Sequence, residues 1–153
     1  MLITHEAGHV LHAWLTGCRV ARVELPLLGF SRTDLAENPW PQFVAWGGPI
    51  WGCLLPVGLL VIVQRMRFRF WGIPLFFVGF CLLTNGAYLA FGSLYMAGDA
   101  GDLLRYGAPR WTLLAFGAVT MPVGLWLWHR VGPRLGLGPP PGSGDNSQMP
   151  PRL

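Results

Sequence analysis

Three long apolar runs and one shorter apolar stretch are separated by polar, Arg-containing joints. Residues 38–64 carry no formal charge, and about 20 helical residues suffice to cross a hydrocarbon core. The pattern predicts a span over 43–63. Arg65, Arg67 and Arg69 then form a dense basic turn, and a second uncharged run follows over 70–98. That run is also of membrane length, so the turn joins two antiparallel spans. A third run, 111–128, is closed by Arg110 on one side and by His129 and Arg130 on the other, with Trp111, Trp126 and Trp128 where interfacial aromatics sit. The first stretch, 2–16, is different: about 15 helical residues reach only about 22 Å. Either it enters a bilayer partway, or the natural chain begins upstream of Met1, and the second is preferred. It lacks a basic start and carries His5, Glu6 and His9 where an apolar stretch belongs, so it does not read as a cleaved signal peptide.

Between this helix and the first full span, residues 17–42 are polar. Val20, Val23 and Leu25 alternate loosely with Arg19, Arg22 and Glu24, which predicts a short strand or hairpin. The segment 138–153, with Pro139, Pro140, Pro141, Gly142, Ser143 and Gly144 in succession, reads as a disordered tail after a membrane-embedded domain over 1–137. The fold class expected is therefore an all-α integral membrane protein of about four hydrophobic helices, the first short or truncated, with a short β-hairpin after it.

Composition strengthens this reading. Only 12% of the 153 residues are charged and 52% are hydrophobic, against about 25% charged in a soluble domain. So apolar a chain is not generally disordered. The net charge of +4 comes from eleven basic residues, all Arg. They lie in the gaps between apolar runs and form no single stripe, which favours anionic lipid headgroups as partners over nucleic acid. Cys18, Cys53 and Cys81 are far apart, odd in number and in no CxxC pair, which argues against a disulfide framework or a thiolate metal site. Basic residues divide almost evenly between the two sides, and the dense turn tips the expected orientation towards a cytoplasmic C-terminus.

The chemistry concentrates in His5-Glu6-Ala7-Gly8-His9. Residues four apart share a helix face, so both imidazoles can meet one Zn²⁺ while Glu6 stands beside them to take a proton from water. An HExxH also arises by chance, but three ionisable groups clustered on an apolar helix have few structural excuses. His12 lies on nearly the same face yet about 10 Å from His5 along the axis, too far to share an ion with Zn–N bonds of about 2.1 Å. A catalytic zinc needs a third protein ligand. His129 falls at a boundary, so a carboxylate is the expected donor, and Asp99 and Asp102 at the end of the second run are the candidates, with Asp99 nearer the span. Their structural alternative is a helix start, Asp99 as N-cap and Asp102 in the first turn. Glu24, Asp34, Glu37 and Asp145 read as solvated.

These residues together resemble the site-2 protease class of intramembrane zinc metalloproteases, the M50 peptidases, and more closely their small bacterial members. The similarity rests on His5-Glu6-Ala7-Gly8-His9, on Gly47-Gly48-Pro49-Ile50-Trp51-Gly52 in the next span, and on an Asp after a later span, and it covers roughly 2–104. The resemblance implies His5, His9 and Asp99 as zinc ligands, Glu6 as catalytic base, and Asn85 as the polar residue the family places ahead of its Asp. Two departures stand out. Asp99 is followed by Ala100 instead of Gly, which leaves Asp102 in contention, and Gly52 stands where family members often carry Asn.

The function so implied is zinc-dependent endopeptidase activity on single-span membrane proteins, in a multi-pass protein of the bacterial cell membrane. The strand near Val20 would pair with an unwound substrate by edge addition. The alternative is a catalytically inactive homologue that binds a partner or assembles a complex. A metal transporter ranks last, because the two uncharged runs hold no ionisable ligands.

Overall fold

A computed structural model of the chain describes residues 1–26, 31–67 and 71–132. Arg69, the start of the second run at Phe70, and the segment 138–153 lie outside the described residues.

Long apolar runs cannot leave their amides unpaired, and a helix pairs them within the segment itself. The elements in chain order are α1 (Leu2–Leu15), β1 (Val20–Glu24), β2 (Arg32–Leu35), α2 (Pro41–Arg65), α3 (Gly72–Tyr95), α4 (Gly98–Arg105) and α5 (Arg110–Val131). The helices α2, α3 and α5 are long and apolar enough to cross a membrane. Helix α2 opens with Pro41 at its first position, where a missing N–H costs nothing. It and α5 both run beyond their predicted limits, to Arg65 and Val131.

The second apolar run does not continue to Gly98 as expected. Helix α3 stops at Tyr95, and Met96 adopts the left-handed conformation (φ 55°), with the Ala97 N–H closing back on the Gly92 carbonyl at 3.1 Å. Gly98 is again left-handed at φ 54°, and the short α4 begins there. Hydropathy gives no sign of this break, because Met96 and Ala97 are as apolar as the span itself. Ala97, not Asp99, is the N-cap, and Asp99 lies in the first turn, where negative charge suits the helix's positive end.

The predicted hairpin forms. Strands β1 and β2 pair antiparallel, Val20 opposite Leu35 and Val23 opposite Thr33, with an irregularity between Val20 and Arg22. The hairpin packs against α1. Cys18, Cys53 and Cys81 are buried free thiols, and Cys53 and Cys81 pack inside the apolar runs.

Glycines set the helix spacing. Helices α1 and α2 meet backbone to backbone at Gly8 and Gly47, each of which would drive a Cβ into the other's carbonyl. Helices α3 and α5 meet along a seam where Gly79 faces Gly124 and Gly86 faces Gly117, small residues that let membrane-type helices approach closely. Helix α4 is anchored beneath by Ala100 and Leu103, buried with Ala45, Leu89 and Leu113 from the three long helices. Because a Cβ at Gly117 would lie 2.9 Å from the Gly86 carbonyl oxygen and 2.7 Å from the Ala90 Cβ, Gly117→Leu is expected to part this seam and cost about 1–3 kcal/mol or more. Thermal unfolding in detergent checks it, and an unchanged midpoint would contradict the seam.

Candidate metal centre

The helical period puts His5 and His9 on one face of α1, turned inward against α2 and α3. His5, Glu6 and His9 are 5%, 3% and 6% exposed, so the ionisable groups of the motif are withdrawn from solvent together. The two rings sit edge to face with centroids 4.9 Å apart, and their Nε2 atoms are 3.2 Å from each other. Asp99, brought in by the turn between α3 and α4, places Oδ2 at 2.7 Å from His5 Nε2 and 3.2 Å from His9 Nε2. One donor atom from each of these three residues thus converges on a common point.

The opposite face of each imidazole is fixed. His9 Nδ1 is 2.8 Å from the Val44 carbonyl oxygen and His5 Nδ1 is 2.8 Å from Asn85 Oδ1. The Asn85 amide is itself oriented, since its Nδ2 donates to the Cys81 carbonyl at 2.8 Å, leaving Oδ1 to accept. Both histidines therefore donate from Nδ1 and turn Nε2 to Asp99, where a protonated ring donates to the carboxylate and a neutral ring offers a lone pair that a metal ion would take. Such outer hydrogen bonds fix the tautomer and ring orientation of metal-ligating histidines.

The Asp99 backbone N–H donates to the Tyr88 hydroxyl at 3.3 Å. Burial works against the Asp99 carboxylate, but the hydrogen bonds from His5 and then His9 outweigh it and hold the group well below the usual carboxylate range. The carboxylate is thus ionised and available as a donor.

The donor set fits a divalent ion of the zinc class. Two imidazoles and a carboxylate are three of the four positions of a catalytic zinc site, and a tetrahedron with bonds of about 2.1 Å has edges of about 3.4 Å. The observed separations of 3.2, 3.2 and 2.7 Å approach that spacing. Gly48 supplies an independent test. Its missing Cβ would overlap His9 Nε2 and His5 Nε2, so the helix passing beside the three donors is bare where a side chain would fill their meeting point.

Among the described residues the other sequence candidates bring no donor to this point, although Glu24, Asp34 and Asp102 line the adjoining cavity. Asp102 turns away to Arg105, Nη1 to Oδ1 2.8 Å, at the exposed side of α4. His12 is spent on neighbours: its Nδ1 lies 2.6 Å from the Phe43 carbonyl oxygen, its Nε2 accepts from Trp51 Nε1 at 3.1 Å, and it stacks on Phe43. His129 is exposed in the last turn of α5. Glu24 and Asp34 pair with Arg22 and Arg32 on the hairpin, Glu37 is exposed, and Asp145 lies outside the described residues.

Comparison with protein-family models, curated proteins and solved structures finds no match.

A cavity of about 620 Å³ opens at the donors, lined by Glu6, His9 and Asp99 and, from the hairpin, by Arg32, Thr33 and Asp34. Glu6 directs Oε2 to the Thr33 hydroxyl, which donates to it at 2.6 Å. Three participants were not read as such from the sequence: Thr33, Tyr88 and the Val44 carbonyl. Thr33 and Tyr88 are 27 and 11 positions from the groups they contact, and no local spacing encodes such meetings. Gly48 was legible as part of a Gly-Pro motif, but not as the residue that keeps the donors' meeting point clear.

Proposed function

We propose that this chain is a multi-pass membrane zinc metalloendopeptidase of the site-2 protease class, which hydrolyses peptide bonds of single-span membrane proteins. The observation that carries the reading is the convergence of His5, His9 and Asp99, with Glu6 next to the first ligand and facing an open cavity. Three further features support it. Helices α2 and α5 leave Leu54, Leu59, Ile62, Val119 and Leu125 on outward faces, an arrangement that lipid solvates and water does not. Asn85 meets the histidine face opposite the ligand position. The hairpin borders the cavity, and a two-stranded sheet offers edges to which an unwound substrate strand adds.

Zinc held by His5, His9 and Asp99 would supply Lewis acidity, polarising a carbonyl and acidifying water. The chain's own residues do the rest. Glu6 takes a proton from the attacking water and returns it to the departing amide nitrogen, so the C–N bond breaks without expelling an amine anion. His5 and His9 keep their tautomers through Asn85 and Val44, which holds both Nε2 atoms in place throughout. Substrate must reach the site as extended backbone, because helical hydrogen bonds hide the scissile carbonyl.

The test is cleavage in liposomes. The reconstituted protein is expected to cut a single-span substrate, to lose all activity to a zinc chelator and to regain it on adding zinc back. Chelator-resistant cleavage, or none from the zinc-loaded protein across a substrate panel, would refute the reading.

A further inference from the structure

Among the described residues, one side-chain hydrogen bond joins the hairpin to the HExxH motif. Thr33 lies in the middle of β2, opposite Val23, and its hydroxyl donates to Glu6 Oε2 at 2.6 Å across a separation of 27 residues. Glu6 is 3% exposed, yet among the described residues Thr33 Oγ1 is its only side-chain hydrogen-bond partner, and Oε1 has none. A buried carboxylate with a single tether is oriented by that tether. Neighbours in β2 do not compete: Arg32 and Asp34 are tied to each other, 2.8 Å from Nε to Oδ1.

We infer that Thr33 is the positioning residue for Glu6: by occupying Oε2 it turns Oε1 towards the cavity, so the carboxylate is set for proton transfer only while the hairpin is docked on α1. This rests on the hydrolase reading for its kinetic consequence, but not for the docking itself. Removing the hydroxyl frees the carboxylate to rotate and the hairpin to lift, and leaves the three metal donors untouched.

The variants are Thr33→Val, which keeps the shape and loses the donor, Thr33→Ser, which keeps the donor, and Glu6→Gln and Glu6→Leu, of which only the first retains an acceptor. Three readouts are taken on the full chain: zinc per protein, kcat and KM for a single-span substrate in liposomes, and amide hydrogen exchange over 20–24 and 32–35. Thr33→Val is expected to lower kcat about ten- to a hundredfold with KM and zinc unchanged, and Thr33→Ser to restore it. Hairpin exchange is expected to speed up in Thr33→Val and Glu6→Leu, no further in the double variant, and not at all in Glu6→Gln. Wild-type kcat in Thr33→Val, or exchange rates that add independently in the double variant, would overturn the assignment. A zinc-loaded wild type that never cleaves would remove the hydrolase reading and the kinetic role with it, whereas the exchange cycle still decides whether Thr33 and Glu6 hold the hairpin.

Discussion

Glu6→Gln is expected to abolish proteolysis while the purified protein still carries its full zinc. Gln has the size of Glu and its carbonyl oxygen still accepts from Thr33, so neither the fold nor the hairpin should move. It cannot accept a proton from water at neutral pH. Loss of a general base typically costs about 10²–10⁴ in rate, which in a membrane assay amounts to no detectable product. The donors themselves belong to His5, His9 and Asp99, so metal content should not change. Measuring zinc and cleavage on the same preparation separates the two effects. A Glu6→Gln protein that still cleaves would remove Glu6 from the chemistry. A wild-type protein equally inert would favour a binding or assembly role for the chain.

Gly48→Ala is expected to do the reverse, leaving the helix intact and emptying the site. In a helix interior alanine is favoured over glycine by about 1 kcal/mol, so α2 should be no less stable for the change itself. The added methyl, however, would overlap the Nε2 atoms of His5 and His9. The imidazoles cannot simply retreat, because each is held on its other side by Asn85 or Val44. Zinc affinity should fall about a hundredfold or more. Gly58→Ala is the control on the same helix, since a Cβ there meets nothing within 4 Å. Full zinc occupancy in Gly48→Ala would mean that the ion sits elsewhere.

Much of the frame was legible in the sequence because it is written in charge and hydropathy alone. Uncharged runs of span length gave α2, α3 and α5, and alternation around Val20 gave the hairpin. The HExxH spacing put His5 and His9 on one face because the helical period leaves no alternative. What escaped was set by tertiary contact. The end of α3 depends on the backbone turn at Met96, whose side chain gives no sign of it. The choice between Asp99 and Asp102 turns on which side of α4 faces α1, and their spacing of three residues cannot reveal that. Thr33 is an ordinary strand residue until the hairpin folds onto α1 and brings its hydroxyl to Glu6.

The central claim is that one divalent ion is held by His5, His9 and Asp99 together. Its most direct test is X-ray absorption at the zinc edge on the purified, zinc-loaded protein, run beside Asp99→Ala and Asp102→Ala with zinc per protein measured for each. The wild type should show one zinc with two imidazole nitrogens and oxygen in a four-coordinate shell at about 2.0–2.2 Å. Asp102→Ala should match it in both spectrum and stoichiometry, and Asp99→Ala should lose most of its zinc. Full zinc with an unaltered shell in Asp99→Ala, or a wild-type spectrum lacking two imidazoles, would contradict the account.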